Sequence, residues 1–278
     1  MVEIMKEVLA IVVVLSSFWQ VSVGAQTSQK PGLAALLDRA EAGDADAQVQ
    51  LGTAYAAGDG VAEDDALAVK WFRTAAEKGS AAGEYSLGEM YLTGRGVSSD
   101  LAEAAKWVKR AAEHGDARGQ FNLAVMYAQG QGVPKNADEA AVWMHKSADQ
   151  GLAAGEFGLG SMLAHGRGVP QNIAEAAKWY RKAADQGDGP AMNNLAFLLA
   201  TSSDPEIRDP KEAVAIAQKA VEMDGGEPVY LDTLARAHFE AGNPGLAAEA
   251  ERRALKLKPD DVSYKEALGR YERSTLKP

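Results

Sequence analysis

Cysteine is absent from all 278 residues, which removes disulfides, thiolate metal sites and thiol catalysis together. Aromatic residues make up only 7%, and Val, Ile and Thr do not recur with the period of two that marks a half-buried strand. There is no basic run. A formal charge of −10 and a pI near 5.0 leave the chain without the cations that neutralise phosphates, which argues against a nucleic-acid partner. What is present is 46% hydrophobic and 24% charged residues with abundant alanine, a composition that supports a large helical core and no disordered tail.

Groups that could do chemistry are scattered. His114, His145, His165 and His238 have no second ligand at i+3 or i+4, so they read as solvated or packing residues and not as zinc ligands. The neighbours Asp64 and Asp65, and Asp260 and Asp261, stand at helix starts, where they complement the macrodipole. Adjacent residues do not face each other on a helix, so neither pair is set out as glycosidase carboxylates would be. No serine sits in a nucleophile elbow. The expectation is no catalysis, no metal and no cofactor.

The amino terminus has a targeting pattern. Residues 8–23 are apolar apart from Ser16, Ser17, Gln20 and Ser22, and Val23-Gly24-Ala25 supplies the small residues a signal peptidase accepts. This predicts a signal peptide over 1–25, cleaved after Ala25, and a periplasmic or secreted protein. An uncleaved membrane anchor is the alternative, although Gln20 and the serines shorten the apolar stretch below the roughly 20 residues a spanning helix needs.

The remaining chain is periodic. Gly43, Gly79, Gly115, Gly151 and Gly187 are 36 residues apart, and the same step relates Leu51, Leu87, Leu123, Leu159 and Leu195, and also Trp71, Trp107, Trp143 and Trp179. Within a period, Val49, Leu51, Gly52 and Tyr55 have helical spacing, as do Ala68, Trp71, Phe72 and Ala75, so each unit is a helical hairpin. Asp64, Asp100, Asn136 and Asn172 stand where second helices begin. The last three are followed at the third position by Glu103, Glu139 and Glu175, which predicts capping boxes, with a weaker cap in the first unit, where Leu67 takes that place. The Gly43 series falls at helix ends, where a left-handed residue is needed. Gly58 and Gly60, Gly94 and Gly96, Gly130 and Gly132, and Gly166 and Gly168 lie between the helices. With no preceding strand they form a turn, not a phosphate loop, and Val61, Val97, Val133 or Val169 follows as an inward anchor.

The pattern L-G-x-x-Y, G-x-G-V, A-x-x-W, A-A-x-x-G resembles the Sel-one-like repeats, 36-residue relatives of the tetratricopeptide repeat. Leu87, Gly88, Tyr91, Gly94, Gly96, Val97, Ala104, Trp107, Ala111, Ala112 and Gly115 carry it in one unit. It covers 43–187 as four units, with Ala124 for Gly, Leu163 for Tyr and Ser147 for Ala as the departures. Residues 188–259 resemble two tetratricopeptide units, joined through a longer polar connector over 201–210; the second has Leu234, Ala235, Gly242, Ala247, Ala254 and Pro259, with His238 and Glu251 at positions where that family favours aromatics. The segments 26–42 and 260–278 should cap the two ends. The predicted fold is all-α, a right-handed α/α superhelical solenoid of two-helix repeats. The resemblance implies a scaffold or adaptor that binds a protein or extended peptide in a concave groove. A structural accessory of a surface-polysaccharide or secretion assembly is the alternative. The β-lactam-interacting hydrolases linked with this family resemble cysteine-stapled repeats, which this chain cannot form. A membrane enters only if the N-terminal segment stays uncleaved.

Two columns on the first helices are the candidate partner site. The position two before each recurring leucine gives Val49, Tyr85, Phe121, Phe157 and Asn193, and the position two after gives Thr53, Glu89, Val125, Ser161 and Phe197. In the related tetratricopeptide pattern both tend to face the groove. Tyr85, Phe121 and Phe157 either pack between neighbouring first helices or form an apolar ladder with rungs roughly 8–10 Å apart. A polyproline-type segment, with three residues per turn and about 3.1 Å per residue, would match such a ladder at every third residue. The Trp71, Trp107, Trp143 and Trp179 column, set among alanines, is expected to fill the core between hairpins.

Overall fold

Alternating helix-forming stretches and glycine-bearing turns produce a chain of short helices of nearly constant length. The computed structural model describes residues 32–223 and 226–276, so the expected leader over 1–25 lies outside the described residues. Helix α1 (Leu33–Glu41) precedes six hairpins, and α14 (Val262–Thr275) follows them. The hairpins are α2 (Ala45–Ala57) with α3 (Asp65–Glu77), α4 (Ala81–Thr93) with α5 (Leu101–Glu113), and α6 (Ala117–Gln129) with α7 (Ala137–Asp149). Then come α8 (Ala153–His165) with α9 (Ile173–Asp185), α10 (Gly189–Thr201) with α11 (Pro210–Met223), and α12 (Pro228–Glu240) with α13 (Pro244–Leu257). Each helix packs on the one before and the one after it, and no strand occurs among the described residues: this is an all-α repeat solenoid.

Starts and stops follow the sequence, with one correction. Asp64, Asp100, Asn136 and Asn172 all cap their helices, each side chain accepting from a backbone N–H of the first turn. The return half of the capping box is not made. The backbone N–H of each cap residue instead donates to the carbonyl of Tyr55, Tyr91, Tyr127 or Leu163 on the preceding helix, at 2.9–3.1 Å. The glutamates are therefore free for other uses, such as Glu139 accepting from Trp143 Nε1 at 3.1 Å. Leu67 costs the first unit nothing, since Asp64 Oδ1 still accepts from the Leu67 N–H at 2.9 Å. At the other end Gly43, Gly79, Gly115, Gly151 and Gly187 take positive φ. The residue after each returns a hydrogen bond five residues back, as Asp116 N does to Ala111 O at 2.9 Å, which closes the last turn.

The second glycine of each inter-helix pair forms a seam between units. At Gly132, φ is +66°, and a Cβ there would collide with the Leu101 carbonyl at the start of the previous second helix. Gly96 and Gly168 meet the carbonyls of Asp65 and Ala137 in the same way, whereas Gly60 has nothing within 4 Å. Polar clamps add to the seam: Gln150 Nε2 donates to Gly115 O (3.0 Å) and Gln120 Oε1 (2.7 Å), and Gln186 repeats this with Gly151 O and Glu156. Arg95 reaches back to both Asp65 oxygens (2.6 and 3.0 Å) and to Ala56 O (2.8 Å).

The recurring leucines are all buried, and so are Trp107, Trp143 and Trp179, at 6–9% exposure. Trp71, in the first hairpin, is only half-buried. The tryptophan column is thus core along most of its length. Its outer ring faces are roofed by basic side chains, such as Lys146 over Trp143 at 3.8 Å and Lys182 over Trp179 at 3.7 Å.

Candidate partner-binding face

Contacts between units settle which helices line the inside. Beyond packing against sequence neighbours, first helix α2 touches α4, α6 touches α8 and α10 touches α12, so the first helices make the inner layer. The two predicted columns lie on these helices, but their members differ in what they present.

Tyr85 is 8% exposed and Val125 7%, so both belong to the core and neither is an open rung. Tyr85 Oη donates to Glu89 Oε1 at 2.7 Å, and the Arg118 guanidinium lies 4.3 Å from the Tyr85 ring centre. Arg118 is itself held by Asp116, with Nη2 2.9 Å from Oδ2. Burial pushes the Glu89 carboxyl above the ordinary carboxylate range, opposed by the Tyr85 hydroxyl and by the charge of Arg118. Burial also pushes the Tyr85 phenol well up, and the Glu89 charge adds to it.

Further along, Phe121 and Phe157 are half-buried, with the Phe157 ring centre 5.8 Å from that of Tyr180 behind it. Ser161 and its neighbour across the layer, Asn194, hydrogen-bond the Tyr180 hydroxyl, so Ser161 supports the wall. Asn193 is half-buried, and its Oδ1 is enclosed without a donor. Phe197 is 40% exposed and is the most open aromatic of the two columns. The inner face therefore has a closed polar floor at Tyr85 and Glu89, then an apolar run through Phe121, Phe157 and Phe197.

Both columns continue into α12, which the fixed 36-residue step does not reach. Leu234 follows Leu195 by 39 residues because the connector is longer, and Asp232 and Arg236 stand two before and two after it. The core leucine, and not the period, was the signal. Behind them Glu251 of α13 is fully buried, and neither of its oxygens meets a donor. Burial, with the Asp232 charge added, pushes the Glu251 carboxyl up to about 8, so its neutral form is the one this enclosure favours.

The histidines are engaged locally. His114 lies 2.7 Å from Glu84, His145 2.9 Å from Asp149 and His165 2.8 Å from Ser161 O, while burial holds His238 below its ordinary value. Among the described residues, no group of three or more His, Asp or Glu could hold a metal ion, and no helix is long and apolar enough to cross a membrane.

Comparison with known proteins fits this architecture. The Sel1 repeat model matches residues 45–80, 81–116, 117–152, 153–188 and 189–225, one unit more than the four that spacing delimits. Among solved structures, the chain is similar to c5321, a protective antigen present in uropathogenic Escherichia coli strains displaying an SLR fold. The identity is 30% over 88% of this chain, with a TM-score of 0.70, and the match spans 56% of that longer chain. A Sel1 repeat protein from Oxalobacter formigenes is 29% identical over 68% of this chain and 77% of its own, with a TM-score of 0.62. The fold alone is shared with YrrB, a TPR protein with an unusual peptide-binding site: 18% identity, 70% of this chain, 96% of that one and a TM-score of 0.52. No curated protein matches the sequence.

Proposed function

The chain belongs to the Sel1 repeat family, and we propose that it is an exported adaptor whose inner face holds an extended segment of a partner protein. The fold is commonly a protein-interaction scaffold and typically non-catalytic. The observation that carries the reading is the run of Phe121, Phe157 and Phe197 on three successive first helices, the last of them 40% exposed. The two helices at its far end, α8 and α10, contain no Asp, Glu, Lys or Arg after Glu156, so the path beside these rings is uncharged. An extended segment turns alternate side chains to opposite sides, and an uncharged apolar path offers contact to those on one side. Export rests on the apolar residues 8–23 followed by Val23-Gly24-Ala25.

The test is selection from a phage-displayed library of random peptides on the wild-type protein, followed by binding of the selected peptides to a Phe121→Ala, Phe157→Ala, Phe197→Ala variant. Enriched peptides that lose binding to a triple variant of unchanged helical circular dichroism support the inner face. Peptides that bind both proteins equally sink it. Amino-terminal sequencing of the protein recovered from its producing cells, with Gln26 as first residue, checks export.

A further inference from the structure

Two inner-face carboxylates flank the apolar run, and they are not equivalent. At the α12 end, Asp232 lies near Arg236 and Arg270, whose charges favour its ionised form, so its charge is met within the chain. At the α4 end, Glu89 has one hydrogen-bond donor, the Tyr85 hydroxyl at 2.7 Å. No cationic side chain comes within 4.0 Å of it among the described residues. Arg118 acts on Glu89 only through space: it stacks on the Tyr85 ring and gives its side-chain hydrogen bonds to Asp116. The result is a half-buried carboxylate that makes no direct ion pair, its charge eased only through space by Arg118 and oriented by a neutral phenol, at the head of the path through Phe121, Phe157 and Phe197. The column position it occupies holds Thr53, Val125, Ser161, Phe197 and Arg236 in the other units, so the negative charge is particular to this place.

Resting on the inner-face reading above, we propose that Glu89 is a specificity site for a basic residue, and that the partner segment carries a Lys or Arg on the α4 side of its apolar anchors. Taking a carboxylate out of water is unfavourable unless an opposite charge joins it, and here burial already raises the Glu89 carboxyl. An ammonium or guanidinium arriving with the ligand would restore that interaction at the moment of binding. Charge complementarity acts at long range in the same direction, since the chain carries a net −10. The order along the path is then fixed: cation at α4, followed by apolar side chains at α6, α8 and α10.

The experiment uses the peptides selected above from the random displayed library. Each cation-bearing peptide is remade with Gln for its Lys or Arg, and both forms are titrated by fluorescence anisotropy against wild-type protein and Glu89→Gln. The Gln amide oxygen can still accept from Tyr85, and an unchanged thermal melt confirms that the variant is folded. Expected are enrichment of Lys or Arg on one fixed side of the apolar anchors and a loss of about tenfold on wild type when that cation is removed. On Glu89→Gln the two peptide forms should bind alike. Peptides that require the three phenylalanines but lack a cation, or whose cation matters equally to both proteins, overturn the Glu89 assignment and leave the inner-face reading intact. Selected peptides indifferent to the phenylalanines, or a selection that enriches nothing, overturn both.

Discussion

Glu251→Gln replaces one carboxyl oxygen with an amide nitrogen and should remove the pH dependence of the last hairpin. Glu251 is fully buried between α12 and α14, facing Asp232 and Arg236 on the one side and Asp261, Tyr264, Arg270 and Tyr271 on the other. Its carboxyl is pushed from 4.5 to about 8, chiefly by burial. Because the folded state holds this proton more tightly than the unfolded chain, the stability it supports is complete below about pH 4.5 and is lost progressively as pH rises to about 8. A gap of about 3.5 pH units, at 1.36 kcal/mol each, corresponds to a loss of up to about 5 kcal/mol. Glutamine stays neutral and keeps a donor for Asp232, so the variant should not lose it. The assay is thermal unfolding between pH 5 and 9, followed in parallel by helical circular dichroism and tryptophan fluorescence. Trp71, Trp107, Trp143 and Trp179 all precede residue 188, so a C-terminal transition should move the dichroism and leave the fluorescence behind. Wild type should weaken toward pH 9 while the variant stays level and becomes the more stable of the two. Parallel pH profiles for the two proteins would refute the buried-proton argument.

Two further perturbations probe the stack. Gly132→Ala and Gly60→Ala both impose a left-handed alanine, worth about 1–2 kcal/mol, but only the former drives a Cβ into a neighbouring carbonyl, so its melting temperature should fall several times further; equal losses would contradict the seam. Trp107→Ala should cost about 3–5 kcal/mol in chemical denaturation, and Trp71→Ala clearly less, because Trp107 is 6% exposed and Trp71 is half-buried.

The hairpins, their turns and the inward tryptophans were legible because the same spacing is repeated, and repetition separates a structural requirement from chance. The cap residues were read correctly, while the use of their glutamates was not: a capping box is a local pattern, and here the cap's own N–H is taken by a carbonyl of the preceding helix, a tertiary contact. The candidate face was legible as a set of inner-helix positions but not in character. Columns spaced 36 apart located the inner layer, yet sequence could not show that Tyr85 is closed over by Arg118 or that Phe197 stands open, because both depend on side chains from a neighbouring unit. Glu251 illustrates the same limit from the other side. An acid in place of an aromatic reads as a departure from the pattern, and only the packing around α13 shows it fully enclosed without a donor.

The glycine seam has a consequence for how this molecule can vary. Three second helices, α3, α5 and α7, present their opening carbonyls to a glycine in the next unit, and Asp65, Leu101 and Ala137 do so with unrelated side chains, so the joint does not distinguish these units from one another. Excising residues 117–152 would bring Gly168 against the Leu101 carbonyl in place of Gly132, whereas a deletion one residue shorter or longer would set Arg167 or Val169 there. The reach of the inner face is therefore quantised: it can grow or shrink by one helix spacing at a time, with the fold of every remaining unit unchanged.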